Sequence, residues 1–531
     1  MKVLFVWPNK DSFGYKPIGL SILSAIARSL GHETRLFDTT EIDFGFVDVK
    51  DYGESVKICK NVDLERYGHI KTKANLRSRF EAALKEYSPD CIAFSVLGDE
   101  FSIASQISKA SKEAYPDIPI IWGGKYPTLN PEQALLAHYA DFACVGEGLD
   151  VFGSFLNALA GNGDIYCIPN IWAKKKGNII KNGVAPLRKD LDALPYVDWE
   201  IFDKRHFYKP FDGHVYIAGD HMLNWGCPYR CTYCINHIYH EMYNNKYFLR
   251  RYGIKRIIKE LKCLKEEYGL EFFKFHDEDF LMRPLDGLRE LSEAYRQEIN
   301  LPFVIEINAK SVTKEKVRLL KDMNCVSASI AIETGDAYLR NHVLERVDSE
   351  EDIVSAFALF KEAGIRACAF NMLGIPFETR QTYRKTVELN RRANVQYPDI
   401  GFFYPFDGTK LREISIREGF FDPNDEARQV YQRNKPALRF PDLSEGALIE
   451  MTNVFVLYVK LPECYEPFIE RSEKQDELGI GLRKKLLEIY DKTVFSNNGW
   501  YDDGGLEDMY IDQLNKIAKG HNVGEGAGLI R

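Results

Sequence analysis

Twice along the chain, short apolar runs alternate with amphipathic stretches of helical period, and this alternation most limits what the chain can fold into. From residue 2 to about 160 the runs "VLFVW", "TRLFDT", "CIAFSV", "PIIWGG" and "FACVGEG" are separated by stretches such as "IGLSILSAIARSLG", "LRSRFEAALKEY" and "FSIASQISKASKEAY". Strands with helical crossovers between them predict a doubly wound parallel sheet, Rossmann-like, whose ligands sit beyond the carboxyl ends of its strands. Residues 40 to 75 break the rhythm and read as an insertion or irregular loop.

A second series follows: "HMLNWG", "FFKFHDED", "FVIEINA", "SASIAIETG", "ACAFNMLGIP" and "IGFFYPFDG", each next to a helical stretch such as "IIKELKCLKEEYG" or "EDIVSAFALFKEAG". Six such units predict a partial (βα)6 barrel. The α/β chain thus divides into a Rossmann-like domain over 1–160, a Gly-, Pro-, Asn- and Lys-rich linker over 161–214, the barrel over 215–420 and a helical region over 421–531. In that last region "FVLYVKLP" reads as core, and the tail "GHNVGEGAGLIR" as flexible.

At 531 residues the chain is too long for one core. Its net charge of -8 is spread over interleaved acidic and basic residues, with no polybasic run, which disfavours nucleic acid. No stretch nears the roughly 20 apolar residues of a membrane span, and the opening "MKVLFVWPNK" is too short for a signal peptide. A cytoplasmic protein is expected. Of 11 cysteines, eight stand alone; several sit in apolar strand-like runs and read as small buried hydrophobes, and Cys325 and Cys368 read as packing.

The other three, Cys227, Cys231 and Cys234, lie in "NWGCPYRCTYCIN". Three thiolates do not complete a tetrahedral structural zinc site, although the nearby His237 and His240 keep that reading open. The loop follows the first strand of the second series, at a barrel mouth, where a catalytic centre belongs. A [4Fe-4S] cluster usually takes four thiolates, so three leave one iron open to an outside ligand.

"CPYRCTYC", with Tyr233 before its last cysteine, resembles the signature of the radical S-adenosylmethionine (SAM) superfamily, in which SAM chelates the open iron through its amino and carboxylate groups. Polar residues fall where that resemblance needs them. Asp277 and Glu278 end the second strand, Asn308 the third and Glu333 the fourth; Gly374 and Pro376 follow the fifth, and Tyr404 ends the sixth. Alone, each carboxylate reads as a helix-capping charge; gathered on one rim with the cysteines, they favour a site. By resemblance, "HDEDF" stands where the family binds the SAM amino group, leaving Asp277 and Glu278 as alternatives. "AIETG" looks like the family's fourth-strand motif, with Glu333 for polar contacts to SAM, and "NMLGIPFET" resembles the fifth-strand stretch that packs against adenine.

In the first domain the loops "SVLGDE" (Ser95 to Glu100), "WGGKYPT" and "VGEG" carry small residues that admit a flat, bulky ligand near the backbone. Ser95, Leu97, Gly123, Gly124, Gly146, Glu147 and Gly148 are the candidate contacts. The loop order, before a barrel of this kind, resembles the cobalamin-binding domains of cobalamin-dependent radical SAM enzymes. No Asp-x-His-x-x-Gly occurs, so the resemblance implies cobalamin without a histidine on its lower face.

Together these resemblances imply an enzyme that cleaves SAM reductively to a 5'-deoxyadenosyl radical and, with methylcobalamin, methylates an unactivated carbon of a small-molecule or lipid-like substrate. They also imply an electron donor such as flavodoxin or ferredoxin. Phosphinate or sp2-carbon methylation, and cyclisation or rearrangement without methyl transfer, are lesser variants. A rival from another class is a non-enzymatic cobalamin-binding module with structural zinc. The methylthiotransferase branch is disfavoured, because Cys59, Cys91 and Cys144 do not match its second cluster and the tail is helical.

Overall fold

A computed structural model describes residues 1–520 apart from 12, 13, 56, 58, 99, 245–248, 426, 427 and 429–433, and of 49, 50 and 55 the backbone alone. Asp99 of the "SVLGDE" loop and the tail from 521 lie outside the described residues. The first sheet runs β1 (Lys2–Trp7), β2 (Glu33–Asp38), β3 (Cys91–Ser95), β4 (Ile120–Gly123), β5 (Phe142–Cys144), β6 (Ile171–Lys175) and β7 (Asn178–Ile180), in the order β2-β1-β3-β4-β5-β6-β7. Strands β1 to β5 are parallel and β6–β7 is an antiparallel hairpin on the edge. Strand order reverses between β1 and β3, the point at which such sheets open a crevice for ligands.

The hairpin lies inside the stretch read as a linker. Its "IWAKKKGNII" is too charged to stand out as a strand, yet Ile171 and Ala173 bury completely against the first sheet.

The second sheet comprises β8 (Tyr208–Phe211), β9 (His214–His221), β12 (Phe272–Phe275), β13 (Phe303–Ile307), β14 (Cys325–Glu333), β15 (Arg366–Leu373) and β16 (Tyr397–Phe402), in the order β16-β15-β14-β13-β12-β9-β8. Six strands are parallel and β8 adds an antiparallel edge, so the expected six-unit barrel is present. Its first strand lies upstream of the expected "HMLNWG". Gly219 interrupts the apolar pattern there because a Cβ at that position would lie 2.7 Å from Trp199 and 2.8 Å from Phe273. The expected segment instead forms β10 (Asn224–Trp225), paired with β11 (Arg250–Arg251).

Helices Glu445–Lys460, Glu466–Ser472, Glu477–Thr493 and Glu507–Gly520 build a separate core on the outside of β15 and β16, in which Phe455, Leu457 and Tyr458 are fully buried. No helix among the described residues is long and apolar enough to cross a membrane.

Buried ion pairs join the two sheets. Lys16, in the loop after β1, reaches Asp220 of β9 at 2.9 Å with side chains 0% and 1% exposed, and also donates to the carbonyls of His206 and Ala218. Arg250 of β11 makes a two-pronged pair with Glu147, at 2.6 and 2.9 Å. Burial pushes the Asp220 carboxyl up, but Lys16, His276 and Lys209 more than offset it and hold the group well below the usual carboxylate range. Asp220→Asn would strand the Lys16 charge and should cost about 3–5 kcal/mol in urea denaturation at neutral pH. Because the carboxyl is depressed in the folded state, this contribution is present above its unfolded pKa of about 4 and is lost as pH falls. From that pH downward the gap between variant and parent should narrow, closing only as the folded-state carboxyl itself takes up its proton.

Candidate functional site

The cysteine loop leaves β9 through a clamp. The Leu223 and Asn224 amides donate to the Asp277 carboxylate at 3.0 and 2.6 Å, and Asn224 Nδ2 donates at 2.6 Å. Asp277 is fully buried, and burial, against these hydrogen bonds, pushes its carboxyl up to about 6. It fastens the start of the loop. Gly226, at φ +85°, turns the chain toward Cys227. Thr232 then fastens the loop to the barrel rim: its amide donates to Leu344 O at 3.0 Å, its hydroxyl to Val343 O at 2.6 Å, and its carbonyl accepts from the Leu411 amide at 3.0 Å.

His237 Nδ1 lies 2.6 Å from the Cys234 carbonyl and His240 Nε2 lies 2.7 Å from the Cys227 carbonyl. These histidine nitrogens brace the loop backbone. No group of three His, Cys, Asp or Glu among the described residues, the three cysteines included, gathers around the position of a single metal ion. Burial pushes all three thiols up, Cys234 to about 12; the Cys234 charge is felt by Cys227, and the Cys231 charge by Cys234. Sulfurs in such surroundings hold their protons until a cation replaces them. Three neighbouring sulfurs of this kind fit an iron-sulfur cluster with one iron left open.

Behind the loop lies a buried polar network. The Tyr233 hydroxyl donates to Glu333 Oε1 at 2.9 Å and accepts from Arg346 Nη1 at 2.9 Å. Arg346 also bonds Ala331 O and pairs with Asp348 at 2.9 Å, and Asp348 in turn accepts from Asn308 Nδ2 at 3.5 Å. Burial pushes the Glu333 carboxyl up, with Arg346 and Tyr233 opposing it. Glu333 stands at φ +64°, a conformation that costs a non-glycine residue of order 1–3 kcal/mol and persists where surrounding contacts impose it. Arg346 and Asp348 were not legible as site residues: in "ERVDSEED" they precede the Ser349 capping box and read as solvated charges.

Tyr404 stacks edge-on against Phe406, ring centres 4.9 Å apart, and packs with Tyr233 against a cluster that contains Ile375. Pro376 is buried beside it, in a turn whose Gly374 and Ile375 amides donate to Glu378 at 2.6 and 3.3 Å. Burial pushes Glu378 up to about 8. Of the acidic pair that the sequence left open, Glu278 is the exposed member. It accepts from Asn236 Nδ2 at 3.1 Å, and its charge raises Cys227 and Cys234.

Glu278 also lines a cleft that encloses about 1330 Å³ of space between atoms, its open mouth included. One wall is the carboxyl edge of the first sheet, with Ser95, Gly123, Gly124, Gly146, Glu147 and Gly148; the other is the cysteine-loop side, with Trp225, Gly226, Asn236 and Tyr239. Two glycines are obligatory. A Cβ on Gly124 (φ +105°) would lie 2.6 Å from Val96 O, and one on Gly146 (φ +90°) 2.3 Å from the Tyr243 hydroxyl. Leu97 lies outside the cleft lining, 41% exposed, its amide 3.3 Å from Glu100. Glu147 lines the cleft but spends its carboxylate on Arg250. No histidine is among the residues lining the cleft, in keeping with the missing Asp-x-His-x-x-Gly. A small-residue floor with apolar walls fits a large, flat corrinoid.

Comparison with known proteins agrees with this geometry. The B12 binding domain family matches residues 12–156 and the radical SAM superfamily residues 225–389. An uncharacterized methyltransferase of Pyrococcus horikoshii is 22% identical over 427 residues, covering 78% of this chain and 83% of the relative. An anaerobic magnesium-protoporphyrin IX monomethyl ester cyclase of Rubrivivax gelatinosus is also 22% identical, over 75% of this chain and 71% of the relative. In fold, the chain is similar to the radical SAM methyltransferase TsrM of Kitasatospora setae, with a TM-score of 0.60 at 16% identity, covering 79% of this chain and 76% of that one. The radical SAM domain implies a [4Fe-4S] cluster and SAM, and the B12 domain implies cobalamin. With its two matched regions in this order, the chain is a B12-binding domain followed by a radical SAM domain, the plan of the cobalamin-dependent radical SAM enzymes.

Proposed function

We propose that this enzyme methylates an unactivated carbon of a small-molecule or lipid-like substrate. The observation that carries the reading is the single cleft, walled on one side by the glycine loops of the B12 domain and on the other by the cysteine loop. Cys227, Cys231 and Cys234 would hold the cluster, Glu278 would face the SAM ammonium, and the Tyr233–Glu333–Arg346–Asp348 network with Asn308 would hold SAM's polar groups. When bound, these groups supply reductive cleavage of SAM and a cobalt-carried methyl group. The chain contributes position and dryness: Leu20, Leu23, Phe152 and Trp225 line the cleft and keep water from the reacting groups.

Cyclisation without methyl transfer is the second reading, favoured by a cyclase relative at the same 22% identity as the methyltransferase relative. Electron delivery by a small flavodoxin or ferredoxin belongs to either reading.

Purified without oxygen, reduced and given SAM labelled on its methyl group, the enzyme should release both 5'-deoxyadenosine and S-adenosylhomocysteine, followed by mass spectrometry. A cyclase would release the first without the second. Replacing all three cysteines by Ala should abolish 5'-deoxyadenosine; continued release would overturn the cluster assignment. Gly146→Val forces a side chain against Tyr243 at the cleft wall. It should lower cobalamin content, read from visible absorbance, while iron content stays at the parent level.

A further inference from the structure

The barrel lumen has a second chamber, at the end away from the cysteine loop. On β15 the residues Ala367, Ala369 and Leu373 pack outward in apolar cores, so Arg366, Cys368, Phe370 and Met372 face inward. On β16, Ile400 and Phe402 face out, leaving Tyr397, Asp399 and Gly401 inside. The lumen is open along this line. Phe370 is 37% exposed, the Glu306 side chain 42%, and a Cβ on Gly401 would meet nothing within 4 Å.

At the base, the chamber is closed by parts of the chain that the rest of the site does not use. Lys60, Val62 and Leu64, from the insertion that breaks the first domain's rhythm, line it together with Phe211, Tyr490 and Phe495. Arg366 lies over the Tyr397 ring at 3.7 Å. Its Nη1 shares the single carboxylate of Asp212, 3.2 Å away, with Lys60 at 2.7 Å; Cys368 beside it also hydrogen-bonds its side chain. One carboxylate between two cations leaves the base positive. Asp399 stands in register with Phe370, about 13 Å up the strand from Arg366.

Building on the proposed reaction, we infer that this chamber takes the far end of an elongated anionic substrate, its carboxylate or phosphate on Arg366 and its flat or apolar body along Phe370 and Gly401. Met372 lies six residues above Arg366, about 20 Å along the strand and on the order of 15 Å along the axis of a tilted-strand barrel. A ligand anchored at the base must therefore be long to present a carbon at the cysteine-loop end. Short metabolites do not span it.

Binding of dodecanoate, dodecyl phosphate, dodecanol and butyrate to the anaerobically purified holoenzyme, measured by calorimetry, tests this without any turnover. Dodecanoate or dodecyl phosphate should bind with one site, the tighter of the two identifying the anion. Arg366→Gln should weaken that binding about 10–100-fold, as expected for a lost charge-assisted hydrogen bond, while Arg366→Lys retains part of it. Gly401→Leu, at an ordinary strand position with open space, should exclude the twelve-carbon anions. The inference is overturned if neither anion binds, if dodecanol or butyrate binds as tightly, or if Arg366→Gln leaves the affinity unchanged. Failure of methyl transfer with intact anion binding would instead count against the proposed reaction.

Discussion

Two parallel sheets meet with their ligand-bearing carboxyl ends across one cleft, and the buried pair Lys16–Asp220 fixes that meeting. In a parallel sheet the loops that follow the strands share one edge, so apposing two such edges brings two sets of functional loops together. Apposition alone would leave a sliding contact. A lysine and an aspartate without solvent make sliding costly, because each charge displaced from its partner stays buried and unpaired. Glu147–Arg250 adds a second, directional constraint at the cleft wall, where a planar guanidinium fork accepts little rotation. The geometry between the B12 domain and the cysteine loop is thus set by electrostatics that tolerate little slack.

The same logic extends to the loop itself. Thr232, His237 and His240 engage the loop through backbone groups, while the Tyr229 and Asn236 amides and the Tyr233 side chain meet the cysteine side chains themselves. Behind it, Tyr233 is shared between Glu333 and Arg346, so the residue before the last cysteine is tied to the end of β14. Such a network, out of water, is stiff, and the left-handed backbone of Glu333 shows where the strain of aiming its carboxylate is held.

What the sequence could reveal follows from how local each signal is. The alternation of apolar runs and amphipathic stretches reports the two sheets, because it depends on neighbours within one turn or one pleat. The cysteine spacing is equally local. The β6–β7 hairpin and the start of the barrel were obscured, one by its lysines and the other by Gly219, whose meaning lies in the distant Trp199 ring. Asp277 and Glu278 looked alike for a similar reason. Adjacent residues leaving a strand point to opposite sides, and only the fold shows that one carboxylate meets the backbone amides of Leu223 and Asn224 while the other meets the cleft. Arg346 and Asp348 gain their meaning only from Tyr233, more than a hundred residues upstream.

A six-unit barrel cannot close on itself as an eight-unit one does, and the gap between β16 and β8 decides where specificity can reside. Here the insertion of the first domain and the last helices fill that gap, bringing Lys60, Tyr490 and Phe495 to the base of the lumen. These segments are free of the constraints on the strands: they pair in neither sheet and hold none of the proposed cofactor contacts. Cofactor geometry therefore rests on the carboxyl ends of the strands, while the shape and charge of the far chamber rest on irregular segments from both ends of the chain. Substrate choice in this architecture can change by altering those segments without moving the cleft that the buried ion pairs hold in place.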